Sequence, residues 1–152
     1  MWRPLKISDL AQLSNIAAKV HPGLPEDDAV FAERLQLAPD FCFFADPDLG
    51  YCLAHPWKLG QVPKLNSLLG SLAGADCLYI HDVALLPTAR GTGLGRKIVE
   101  ILAEVAHQKG FTKMALTSVS GADPFWLAMG FEPKPMAGLE SYGSAQYMIK
   151  VL

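Results

Sequence analysis

One stretch governs what this chain can become: CLYIHDVALLPTARGTGLGRKIVEILAEVAHQKG, residues 77–110. Its first ten residues are nearly continuous in apolar and β-branched side chains, the pattern of a strand buried on both faces, interrupted only by His81 and Asp82. From Gly93 to Gln108, Leu94, Ile98, Ile101, Leu102 and Val105 recur at helical spacing, and Gly110 supplies the stop. Between strand and helix lies RGTGLG. A helix entered through glycines leaves the unpaired amides of its first turn uncovered by side chains, with the positive end of the helix dipole behind them. That is a cradle for an anion. Gly91 and Gly93 permit close approach or positive φ, Gly95 lets the helix lie near its neighbour, and Arg90 and Arg96 add charge, which together suit a diphosphate. Two nucleotide motifs are excluded: there is no GxxxxGK(S/T), and GxGxxG fails because Arg96 and Ile98 stand where glycines are needed.

The rest of the chain supplies partners for this unit. Residues 8–20 and 27–37 carry helical apolar spacing, the first behind Ser8 as a cap and the second ending before Pro39. FCFFA and GYCLAH flank DPDLG and read as a hairpin; FTKMALTSV and AQYMIKVL read as later strands. Asp123 and Pro124 have the residue types that open a short helix, PFWLAM, ended by Gly130. Residues 56–76, rich in Pro, Gly and Leu, read as a loop with room for one short helix and as a lid over substrate. At 152 residues the chain is expected to form a single domain, residues 1–152, of α/β (α+β) class. A net charge of -2 and 51% hydrophobic residues give no global attraction to nucleic acid, and no segment is long and apolar enough to span a membrane, so a cytoplasmic protein is expected. Cys42, Cys52 and Cys77 are odd in number and lack metal or redox spacing, so they read as buried free thiols and no metal is expected.

The glycine segment resembles the acyl-CoA motif of the GNAT superfamily of acyltransferases: Arg or Gln, two residues, Gly, one residue, then Gly or Ala, met by Arg90, Gly93 and Gly95. DVALLP is similar to that family's lead-in, and DPFWLAMGFEP to its second acyl-CoA segment, a short helix ending in Gly130 and Phe131. The matching parts run from about Cys77 to Pro133. The resemblance implies a mixed, mostly antiparallel twisted sheet flanked by helices, with splayed central strands and coenzyme A in the gap. It implies acetyl-CoA as donor, held by the main chain of Val83, Ala84 and Leu85, by Arg90, Gly91, Thr92, Gly93, Leu94, Gly95 and Arg96 around the diphosphate, and by Phe125. It further implies an N-acetyltransferase acting by direct attack of a primary amine on the thioester.

That chemistry asks for a base, because a primary alkyl amine is almost wholly protonated near neutrality. His81 is the first choice, resembling a strand histidine of aralkylamine acetyltransferases in the same superfamily; a core histidine with one satisfied hydrogen bond is the structural alternative. Asp82, adjacent to it, points to the opposite face of a regular strand. The family often carries a tyrosine as acid in the second segment, but Trp126 stands there, leaving Ser120, Tyr142 and Tyr147 as substitutes, with Tyr142 preferred. His55, Pro56 and Trp57 are candidates for the acceptor pocket; Glu26, Asp27 and Asp28 read either as an attraction for a cationic amine or as a helix cap and solvated face. His21 and His107 show no partner pattern. The expected partner is a small-molecule amine, with no nucleic acid and no membrane, and a homodimer is allowed. The alternatives are acetylation of protein lysines or amino termini, and a non-catalytic acyl-CoA-binding module.

Overall fold

The computed structural model describes residues 1–152. A short strand β1 (Trp2–Pro4) leads into α1 (Leu10–Val20) and α2 (Asp28–Leu37), followed by the hairpin β2 (Cys42–Ala45) and β3 (Gly50–Trp57). Then come β4 (Cys77–Leu85), α3 (Leu94–Gln108), β5 (Lys113–Ser118), α4 (Asp123–Ala128), the two-residue β6 (Glu132–Pro133) and β7 (Gln146–Val151). The seven strands form one sheet in the order β1-β2-β3-β4-β5-β7-β6. Every pairing is antiparallel except β4 with β5. The mixed, mostly antiparallel sheet with helices on its faces is the architecture the resemblance implied.

Alternation along the strands builds apolar cores on both faces of the sheet. Cys52 and Ala54 of β3, Leu78 and Ile80 of β4, and Met114 and Leu116 of β5 face α3, which contributes Ile98, Val99, Leu102 and Ala106. The apolar stripe of α3 is therefore turned about one residue from the predicted one, toward Val99 and Ala106. On the other face Tyr51, Leu53 and Ala84 pack with Leu13 and Ile16 of α1 and Phe31 and Leu35 of α2. All three cysteines are free and buried.

Three local expectations change. Ser8 does not cap α1, which has no side-chain cap; the helix is entered through a 3-10 turn, Ile7–Asp9, braced by Asp9 Oδ2 accepting from the Lys6 amide at 2.8 Å. Asp123 is the first residue of α4 rather than its cap, and its carboxylate accepts from the Ser118 hydroxyl instead. Residues 58–76 contain no helix; they are fastened by side chains from elsewhere. Glu33 accepts from the amides of Leu69 (2.6 Å) and Gly70 (3.0 Å), fully buried Arg34 donates to the Ser67 carbonyl (2.9 Å), and Tyr142 donates to the Pro63 carbonyl (2.7 Å). No helix is long and apolar enough to cross a membrane.

Candidate active site

The site begins with one extra residue in β4. Leu53 pairs with Asp82 but Ala54 pairs with Ile80, so His81 is left over as a β-bulge. Because side chains alternate, one inserted residue flips all that follow to the other face. Leu78 and Ile80 face α3, as do Val83 and Leu85, while Tyr79, Asp82 and Ala84 face the α1 and α2 side. His81 and Asp82, expected on opposite faces, consequently line the same cavity. The bulge also ends the parallel pairing: β4 and β5 are joined only from Leu78 to Ile80 and from Met114 to Leu116, and diverge beyond. One edge of β4 from His81 to Leu85 therefore presents main-chain groups to the gap without a strand partner.

That gap is a cleft of about 420 Å³ walled by Val83, Leu85, Arg90, Gly95, Phe125 and Trp126, among others. At its mouth Gly91 and Gly93 have φ of 76° and 84°, left-handed values that favour glycine. A Cβ at either would meet nothing within 4 Å; the space before the loop is open. The Gly91–Arg96 amides make no hydrogen bond within the protein, the first helical bond being that of Lys97 to Gly93 at 3.0 Å. Thr92 turns its hydroxyl back onto the Ala89 carbonyl, bracing the loop. At Gly95 a Cβ would come within 3.2 Å of the Phe125 ring, so glycine there admits the aromatic wall of α4. Bare donors, open space and two exposed arginines fit the diphosphate of coenzyme A, and the free edge of β4 fits an amide-bearing arm.

On the far side of the bulge lies a cavity of about 40 Å³, lined by His21, Leu24, Glu26, Leu65, Tyr79, His81, Asp82, Thr117, Val119 and Tyr142. His81 Nε2 meets Glu26 Oε1 at 2.7 Å, with side-chain exposures of only 2% and 7%. Burial raises the Glu26 pKa, but the His81 hydrogen bond and charge and the Asn66 amide outweigh it and hold the carboxyl below its ordinary value. With the proton on Nε2, the buried Nδ1 of His81 has no partner in the protein. A second pair stands beside it. His21 Nε2 meets Asp82 Oδ1 at 2.8 Å, and the Tyr51 hydroxyl donates to Asp82 Oδ2. Burial opposes both charges, yet each prevails: Asp82 is held below the ordinary carboxylate value by His21, His81 and Tyr51, and Asp82 and Glu26 raise the pKa of His21.

Sequence reasoning passed over His21, because its partner lies 61 positions away; the break HPGLPE after a helix was the one local signal that this residue leaves the regular structure. Of the acidic trio, only Glu26 enters the cavity. Asp27 bonds through its amide to Asn66 (2.7 Å) and Asp28 accepts from Ser14 (2.5 Å). His55 and Trp57 do not line the cavity. His55 is fully buried behind Tyr79, its Nδ1 donating to the Pro56 carbonyl at 2.9 Å, and burial drives its pKa down to about 3. Tyr142 does line the cavity, but its hydroxyl proton is committed to Pro63, and Tyr147 accepts from the Gly60 amide at 2.9 Å, outside it. Trp126 packs edge-on between Phe125 and Phe131 in the cleft wall.

Residues 8–131 match the Acetyltransferase (GNAT) family. A segment of 53 residues is 38% identical to glucosamine 6-phosphate N-acetyltransferase of Trypanosoma brucei brucei, covering 35% of this chain and 36% of that enzyme. The chain thus spans about a third of the length of that curated relative. Among solved structures, the NatC complex bound to Gag peptide and CoA superposes with a TM-score of 0.73 at 18% identity, covering 100% of this chain and 98% of that one. The GphF GNAT-like decarboxylase in complex with isobutyryl-CoA does so with 0.83 at 16%, covering 99% and 98%. At such identities the likeness shows the fold alone, and a decarboxylase on this fold illustrates that architecture does not choose the reaction.

Proposed function

The chain belongs to the GNAT family of acetyltransferases, with acetyl-CoA as donor, and from that premise we propose that its acceptor is an unhindered primary amine at the tip of a larger chain, an amino terminus or a lysine. The observation that carries this is the acceptor cavity itself, about 40 Å³, where pockets that engulf a whole small ligand run to roughly 300–1,000 Å³. It admits an amino group and its neighbouring carbons while the rest of the substrate stays outside. Glu26 and Asp82 line it with negative charge, suited to draw in an ammonium. The peptide bound by the NatC complex is consistent with this at the level of fold. A free small amine, the acceptor expected from sequence and the kind named for the curated relative, is the second reading; it would fill the adjoining hollow of about 310 Å³, which shares His21, Leu24 and Glu26 with the cavity.

Acetyl-CoA supplies the thioester carbonyl that the amine attacks. His81 takes the proton from the amine at Nδ1, because Glu26 fixes the other ring proton on Nε2 and stabilises the imidazolium that forms. The open edge of β4 aligns the donor arm, and the Gly91–Arg96 amides anchor its diphosphate. Tyr142 shapes the cavity and holds the lid through Pro63.

Two measurements test the reading. His81→Ala should lower turnover about 10²- to 10⁴-fold while coenzyme A affinity by calorimetry stays unchanged; equal loss of both would remove His81 from the chemistry. Rates should then be compared for short peptides with a free amino terminus, the same peptides blocked at that end but bearing lysine, and short diamines or amino sugars. Higher kcat/KM on the last group than on either peptide set overturns the tip-of-chain acceptor.

A further inference from the structure

We propose that His21 is the acid that protonates the departing thiol, the task left open by Trp126. His21 is the one ionisable side chain that lines both the acceptor cavity and the cofactor cleft; the only other residue shared by the two is Val119. Apart from His21, the single ionisable group in the cleft is Arg90, whose guanidinium does not give up its proton. Sulfur leaves on the cleft side and the amine arrives on the cavity side, so a group at the junction reaches what His81, confined to the cavity, does not.

The orientation follows from Asp82. Its carboxylate holds His21 Nε2–H at 2.8 Å and is itself fixed by Tyr51, leaving Nδ1 buried and without a protein partner. The groups that face His21 set its charge: Asp82 of β4 and Glu26 of the loop after α1 favour the imidazolium, and Arg90 of the glycine loop opposes it. Burial opposes it most, yet the two carboxylates prevail and the pKa lies above the ordinary 6.5. In the step itself, His21 gives its Nδ1 proton to sulfur as the carbon–sulfur electron pair falls back onto that atom. The ring is left neutral, with Nε2–H still on Asp82. The amine attacks in its neutral form, its ammonium proton having passed to solvent beforehand; His81 gains the proton its nitrogen loses on acylation, and the two rings reset by one proton each through exchange with solvent.

The inference rests on coenzyme A occupying the cleft, and not on which amine is acetylated. It is tested without turnover by titrating the ultraviolet absorbance of the thiolate in the coenzyme A complex. Next to an imidazolium, the bound thiol should be about tenfold or more stronger as an acid than free coenzyme A, and His21→Gln, whose amide still reaches Asp82, should abolish the gain. In turnover the same variant should lower kcat about 10- to 100-fold with KM for acetyl-CoA unchanged. Identical thiol titrations in the wild type and His21→Gln overturn the role of His21 while leaving the cleft intact; failure of coenzyme A to bind at all overturns the cleft and this role together. Should His21→Gln not fold, Asp82→Asn carries the same test, with the acidity gain shrinking by about threefold or more and an undiminished gain counting against the proposal.

Discussion

The cofactor cleft and the acceptor cavity share β4 as a common wall but are made of different material. The cleft is open, about 420 Å³, and what it offers a ligand is main-chain groups left bare by a glycine loop and by a strand edge without a partner. The cavity is about 40 Å³, and its chemistry is side chain on side chain, two imidazoles each held by a carboxylate under a fastened lid. Main-chain recognition needs only the right local backbone, so it serves a donor that never changes. Side-chain recognition depends on distant partners, and it is where a family sharing one donor can vary its acceptor.

The difference can be broken most severely from the cleft side. Gly93→Glu places a carboxylate and a side chain at φ 84° before the cradle, and should weaken coenzyme A about 100-fold or more through repulsion and lost approach; unchanged affinity in calorimetry, with the fold intact, would mean the diphosphate sits elsewhere. On the cavity side, Glu26→Gln leaves His81 with a neutral acceptor, and kcat should fall on the order of 100-fold while coenzyme A affinity holds. A parallel loss of both would erase the division between the two regions. Tyr142→Phe frees the Pro63 carbonyl and removes about 1 kcal/mol from the lid. Amides within residues 58–76 should then exchange faster, and short amines should gain on peptides as acceptors.

The smallest effect is on stability against pH. Glu26 and Asp82 sit below their ordinary values of 4.5 and 3.8, so what they contribute is complete above those values and lost as pH falls through the lower folded ones. His21 is raised above 6.5, so its contribution is complete below 6.5 and lost as pH rises through the folded value. Thermal melts should therefore be flattest between those limits, and Glu26→Gln should soften the acid-side decline; an identical decline would assign it to other carboxylates.

The same contrast decides what the sequence made legible. Gly91, Gly93, Gly95 and the strand and helix beside them form one contiguous run, so periodicity and backbone chemistry sufficed to read a loop of bare amides opening a helix, while coenzyme A came from the family resemblance. Glu26 and His81 are 55 positions apart, His21 and Asp82 61, Tyr142 and Pro63 79. No local pattern joins such pairs, which is why His21 went without a role and why Tyr142 was assigned a proton it spends on the lid. The misjudged facing of Asp82 has a different origin: alternation was applied across a strand that slips by one residue, and apolar runs on either side of His81 conceal the slip. His55 shows the converse error, a polar residue at a strand end that serves packing.

That single surplus residue at position 81 has a bearing on how such a scaffold tolerates change. It unzips β5 from β4 and turns His81 and Asp82 the same way in one stroke, so donor docking and proton handling stand or fall with the same spacing between Tyr79 and Val83. Loops around the site are free to lengthen, shorten or be exchanged for new acceptors. Deleting His81 would let β4 run regularly against β3, with Asp82 still opposite Leu53 and Val83 still toward α3, yet it would remove the imidazole and the irregularity at which β5 parts from β4, and no remodelling of the surrounding loops could restore either.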